Sequence, residues 1–157
     1  MKNIFALVLI IAANSLAAQV EFKTGNTEFD ADLNQINASA KLDMPAFKAD
    51  LTATFGVTPK NIEYMVSINM EPGEMYIALE ISSAVNKPIE SVIDTYEANR
   101  DKGWGFIAKE MGIKPGSPEF HALKGKTKDK KEKAAKSNGN SSPANVGNGN
   151  ASRKKIK

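Results

Sequence analysis

Residues 56–103 read GVTPKNIEYMVSINMEPGEMYIALEISSAVNKPIESVIDTYEANRDKG, and their punctuation decides the fold. Pro59, Pro72 and Pro88 each sit just inside the start of an apolar-periodic segment, where a missing N–H costs least. Pro118 repeats the device further on, and Thr58 and Ser117 precede two of these prolines as N-cap residues. Glu74, three residues after Glu71, places an acid in a first helical turn. Gly56, Gly103 and Gly112 fall where helices should stop, because glycine adopts the left-handed cap without a steric cost. The pattern predicts helices at 30–41, 45–55, 59–68, 72–85, 88–101, 104–111 and 118–124. A 3.6-residue period assigns the core to Leu33, Ile36, Phe47, Leu51, Phe55, Ile62, Met65 and Val66. It continues through Met75, Ile77, Leu79, Ile81, Ile89, Val92, Ile93, Tyr96, Trp104, Ile107, Met111, Phe120 and Leu123. No strand-like alternation of useful length occurs, although VEFK at 20–23 suits a short extended arm. The expectation is an all-α domain at 30–124, a compact array of about six or seven short helices preceded by an extended arm at 19–29. No helix of this length is stable alone, so mutual packing must hold the set together. The prolines are spaced unevenly, which argues against a repeat array.

Charge divides the chain beyond this core. Residues 19–124 carry ten basic and sixteen acidic residues, a net of −6. Residues 125–157 carry ten basic and two acidic residues, a net of +8. The overall +3 therefore conceals an acidic body joined to a basic tail. Within the tail, SNGNSSPANVGNGNAS (137–152) offers almost nothing to bury and predicts disorder, so 125–157 as a whole is expected to be a disordered Lys/Asn/Gly-rich tail. Two readings of it stay open. In the first it is a passive solvated terminus that folds back on its own acidic body. In the second it contacts a polyanion, an anionic envelope polymer or extracellular nucleic acid, through Lys126, Lys128, Lys130, Lys131, Lys133, Lys136, Arg153, Lys154, Lys155 and Lys157. The tail has no aromatic residue for stacking on bases and no apolar face for lying on a membrane.

The other end suggests export. Lys2, the apolar run IFALVLIIAA (4–13) and the small residues before Gln19 read as a signal peptide at 1–18. The run of ten falls short of the roughly 20 apolar residues that span a bilayer, so no transmembrane segment is expected after cleavage. The destination is periplasmic or extracellular. The chain has no cysteine, which removes disulfide frameworks, thiolate metal sites and cysteine nucleophiles.

The stretch GWGFIAKEMGIKPGSPEFHALK (103–124), following the helix that starts near Lys87-Pro88-Ile89, resembles a group of small exported bacterial proteins. These share GWGxIAKxxGIKPGSxEFHALK. The likeness is specific over about 20 residues and looser back to Asp30, and the tail lies outside it. The resemblance implies bacterial export and a helical body, and it brings no mechanism.

Motifs for chemistry are sparse. Ile107–Gly112 has the small residue and turn glycine of a helix-turn-helix, but Lys114-Pro115-Gly116-Ser117-Pro118 lengthens the turn where a recognition helix should be running. Sequence-specific DNA binding is not expected. His121 is the sole histidine, and no Gly-x-Ser-x-Gly elbow accompanies it. No catalytic residue, cofactor site or metal site is assigned. Met65, Met70 and Met75 recur every five residues, a poor spacing for a shared helical face, and read as core filler rather than soft metal ligands. Trp104, between two glycines, reads first as a core anchor and second, together with His121, as a ligand contact. The leading expectation is a non-enzymatic binding or envelope-associated accessory protein. Alternatives are a small periplasmic enzyme using carboxylates in an inter-helix groove, and a methionine-based metal-handling protein.

Overall fold

The computed structural model describes residues 19–139. The expected signal peptide and residues 140–157, including Arg153, Lys154, Lys155 and Lys157, lie outside the described residues. Within them the chain is all-α: α1 (Thr27–Leu42), α2 (Met44–Phe55), α3 (Pro59–Ser67), α4 (Pro72–Val85), α5 (Ile89–Ala98), α6 (Trp104–Glu110) and α7 (Pro118–Gly139). A single 3-10 turn, Arg100–Lys102, joins α5 to α6.

The caps are those the sequence offers. Thr58 Oγ1 accepts from the Asn61 N–H at 3.2 Å, and Ser117 Oγ accepts from the Phe120 N–H at 3.2 Å. Glu74 reaches back to accept the Glu71 N–H at 2.9 Å. Gly56 closes α2 at φ 66°, its N–H donating to Thr52 O. Three boundaries differ from expectation by more than one residue. Helix α1 starts at Thr27 because Asn26 caps it, accepting the Phe29 N–H at 2.9 Å. Helix α5 stops at Ala98, where Asn99 turns its side chain back onto Thr95 O at 2.9 Å. The third is at α7. Its expected end at Lys124 is fifteen residues early, so disorder over 125–139 is corrected to helix.

Helix α4 is the axis of the domain. Residues 75–81, MYIALEI, are buried on every side, which only a helix enclosed by others tolerates. α1, α5 and α7 pack around it, with α2 also in contact. Gly73 permits the closest approach: a Cβ there would stand 2.7 Å from Leu33 O and 2.7 Å from Phe22 Cζ. Across the same contact Asn37 of α1, 5% exposed, accepts the Gly73 N–H at 2.6 Å and so caps α4 from outside. Val66, expected in the core, is on the outer side of α3 at 37% exposure, while its neighbours Ile62 and Met65 point inward.

The N-terminal arm is a structural member. Phe22 is fully buried, and Asn34 brackets the Val20 peptide, accepting its N–H at 2.9 Å and donating to its carbonyl at 3.0 Å. The arm then crosses the start of α6. Trp104 and Gly105 donate their N–H groups to Phe22 O (2.8 Å) and Lys23 O (3.0 Å), so the arm satisfies amides that a helix start otherwise leaves open. Both glycines flanking Trp104 follow from this crossing. A Cβ at Gly103 (φ 80°) would meet Lys23 Cβ at 2.4 Å, and one at Gly105 would meet two arm carbonyl oxygens at 2.9 Å.

Candidate functional site

The feature with most chemistry is α7 and the acidic wall it lies on. Its inward stripe is Phe120, Leu123, Thr127 and Ala134, spaced as one helical face. Phe120 meets Phe29 edge-on at 6.0 Å, Leu123 is 1% exposed, and Thr127 is 1% exposed with its hydroxyl donating to Leu123 O at 2.9 Å. Lysines flank the stripe on both sides and reach acids on three other helices. Lys124 pairs with Glu28 (3.2 Å) and Lys131 with Asp32 (2.6 Å), both on α1. Lys126 pairs with Glu80 of α4 (2.9 Å), and Lys130 pairs with Asp50 of α2. The α1 partners advance with α7, so the two helices run parallel.

Two of these acids are almost wholly enclosed, Asp32 at 5% and Glu80 at 4% exposure. Glu80 has two donors, Lys126 Nζ and the Tyr76 hydroxyl, each at 2.9 Å. The same hydroxyl lies 3.1 Å from the Lys126 carbonyl, tying α4 to the α7 backbone. Burial, reinforced by the Glu80 charge, pushes the Tyr76 phenol well above its ordinary range. The Lys131 ammonium is raised by its hydrogen bond to Asp32, and the Lys124 partnership lowers the Glu28 carboxyl.

Near the end of α7 the seam widens. A cleft of about 290 Å³ opens between α1, α2 and α7, lined by Ile36, Ala40, Phe47, Asp50, Lys130 and Ala134 among others. Lys130 Nζ stands 5.6 Å above the Phe47 ring, within the range of a cation–π contact.

The sequence-nominated residues therefore separate into groups. Lys126, Lys130 and Lys131 are engaged by the body, as the fold-back reading has it. Lys128, Lys133 and Lys136 are exposed, with Asp129 and Glu132 interleaved among them. Trp104 as a ligand contact is corrected: it is 2% exposed, stacked on Tyr96 at 5.1 Å, with its N–H 3.4 Å from Glu74 Oε1. His121 is exposed on the first turns of α7, its ring 6.3 Å from that of Phe120. Met65, Met70 and Met75 all lie in the core, at 0%, 6% and 1% exposure.

Among the described residues no group of three or more His, Asp or Glu side chains converges on a metal-sized site. No described helix is long and apolar enough to cross a membrane. Asn37, one of three Asn-x-Ser positions, is buried, and the other two (Asn140 and Asn150) lie outside the described residues. Sequence reasoning missed the acidic wall. Its one available signal was the continuation of the α7 stripe from Leu123 to Thr127 and Ala134. Comparison with protein-family models, with curated proteins and with solved structures gave no match.

Proposed function

We propose that the chain is an exported, non-enzymatic accessory module fixed to an anionic envelope polymer by its basic C-terminal region. The observation that supports this is the division of labour along α7. One set of lysines is consumed by the body, whereas Lys128, Lys133 and Lys136 are exposed, Lys133 beside the α1–α2–α7 cleft, and precede the block Arg153–Lys157 in sequence. The acidic body repels a polyanion, so contact concentrates on this one edge. Lysine suits the task, as a compact charge on a flexible stem that follows an irregular polymer without fixed geometry.

The test compares residues 19–157 with 19–139 and with Lys128→Gln/Lys133→Gln/Lys136→Gln, on lipopolysaccharide and on duplex DNA over a salt series. Truncation belongs after Gly139, since cutting at Lys124 would remove a packed helix. On DNA, seven neutralised phosphates give a log–log salt slope approaching about −6. Weaker binding by both altered forms supports the reading. Equal binding by all three forms, or none at low salt, refutes it. Preference for DNA over lipopolysaccharide would reassign the polymer to nucleic acid.

A further inference from the structure

We infer that α7 beyond Gly125 is a strap with two alternative partners, the body's acidic wall of Asp32, Asp50 and Glu80 and the anionic polymer. Binding the polymer peels the strap from the wall. The inference rests on the tether reading above and adds a conformational consequence to it.

The two halves of α7 are held by different forces. Residues 118–124 are anchored by apolar burial, through Phe120 against Phe29 and through Leu123. From Gly125 to Ser137 the apolar residues are Ala134 and Ala135 alone, while six lysines fall in the same span. Apart from the buried Thr127 and the Tyr76 hydroxyl at the Lys126 carbonyl, docking there rests on ion pairs, which salt and competing anions weaken. Gly125 stands at the junction, the position of lowest helix propensity in this part of the chain. The lysine side chains differ in access: Lys126 is 51% exposed at its side chain, Lys131 23% and Lys130 17%, so an anion meets Lys126 first from the solvent side.

The exchange conserves charge pairing. Lys126, Lys130 and Lys131 trade carboxylates for polymer phosphates, and the vacated carboxylates become hydrated as the strap leaves. Freed of its lysines, the wall is an uncompensated negative surface that repels the polymer and disfavours return of the strap while the polymer is bound. At rest the wall competes with the polymer, so the apparent affinity is reduced by the fraction of straps docked.

Hydrogen exchange on residues 19–157, with and without saturating lipopolysaccharide, tests this. Amides of 127–137 are expected to exchange at least tenfold faster in the bound form, with those of α4 unchanged. A second variant, Asp32→Asn/Glu80→Gln, checked for folding by Trp104 emission, is expected to bind the polymer about tenfold more tightly. Binding that leaves the 127–137 amides as protected as before overturns the strap and spares the tether. Absence of binding by the wild type overturns both. If the variant does not fold, the wild-type exchange result decides alone.

Discussion

Replacing Tyr76 with Phe removes one oxygen from the junction of α4 and α7 and leaves the ring in place. The residue is 3% exposed, and its ring meets Phe55 edge-on at 5.9 Å, a contact the substitution keeps. What is lost is the hydroxyl's donation to the buried Glu80 carboxylate at 2.9 Å and its approach to Lys126 O at 3.1 Å. A hydrogen bond to a buried charged acceptor contributes about 1.5–3 kcal/mol, so Tyr76→Phe should cost about 2 kcal/mol. For a domain of this size that lowers Tm by roughly 6–10 °C. The phenol supplies an independent signature. Its folded pKa lies above its unfolded one, so the protein holds the phenolic proton after the unfolded chain has released it. This contribution is fully present below about pH 10 and is lost as pH rises further, by about 1.4 kcal/mol per unit. Tyr96, raised by burial and then by Glu74, adds a slope of the same sign. Subtracting the Tyr76→Phe curve from that of the wild type isolates one tyrosine. Urea unfolding followed by Trp104 fluorescence and far-ultraviolet dichroism, at neutral pH and between about pH 9.5 and 11.5, reads both quantities. A variant within about 0.5 kcal/mol of the wild type, with the same alkaline slope, would refute the placement of this hydroxyl on a buried carboxylate.

Gly73→Ala drives a Cβ into the Leu33 carbonyl and the Phe22 ring, and should cost about 3 kcal/mol in urea unfolding. Stability at the wild-type level would mean that α1 and α4 do not meet so closely. Trp104→Ala should cost about 4 kcal/mol, and wild-type Trp104 emission should be blue-shifted and resist iodide quenching. Ready quenching would return this side chain to the surface. Gly105→Ala sets a methyl against two arm carbonyl oxygens and should loosen the arm. Limited proteolysis should then cut between residues 19 and 26 at least tenfold faster, with the core intact. An unchanged cutting rate would deny the crossing of arm and α6.

How much of this was legible depends on the range of the interaction. Helix starts at Pro59, Pro72 and Pro118 and the stop at Gly56 are set by residues within one turn, so sequence alone reads them. The continuation of α7 was not legible. After Leu123 its periodic signal shrinks to Thr127 and Ala134, and its partners Asp32, Asp50 and Glu80 lie far away in sequence. A lysine-rich segment looks alike whether its charges meet water or a wall. Glu80 was hidden for the related reason that a carboxylate inside MYIALEI reads as the polar side of a helix until Tyr76 and Lys126 are seen closing over it. Phe22 was hidden because four residues of alternation are too few to assign a buried face. Trp104 was legible as a core anchor, and its two glycines as sites of close approach, though not what approaches them.

The arm's crossing of α6 also fixes an order of assembly. Phe22 and Lys23 are made early, yet the amides that donate to their carbonyls belong to Trp104 and Gly105. Until those residues are available, the two arm carbonyls remain without the donors that hold the arm across α6. The local pairs α2–α3 and α4–α5 can form beforehand at small loop-closure cost, whereas the arm must wait for a long loop to close. A chain emerging from its N-terminus is thereby kept open at its leading edge until most of the domain has followed.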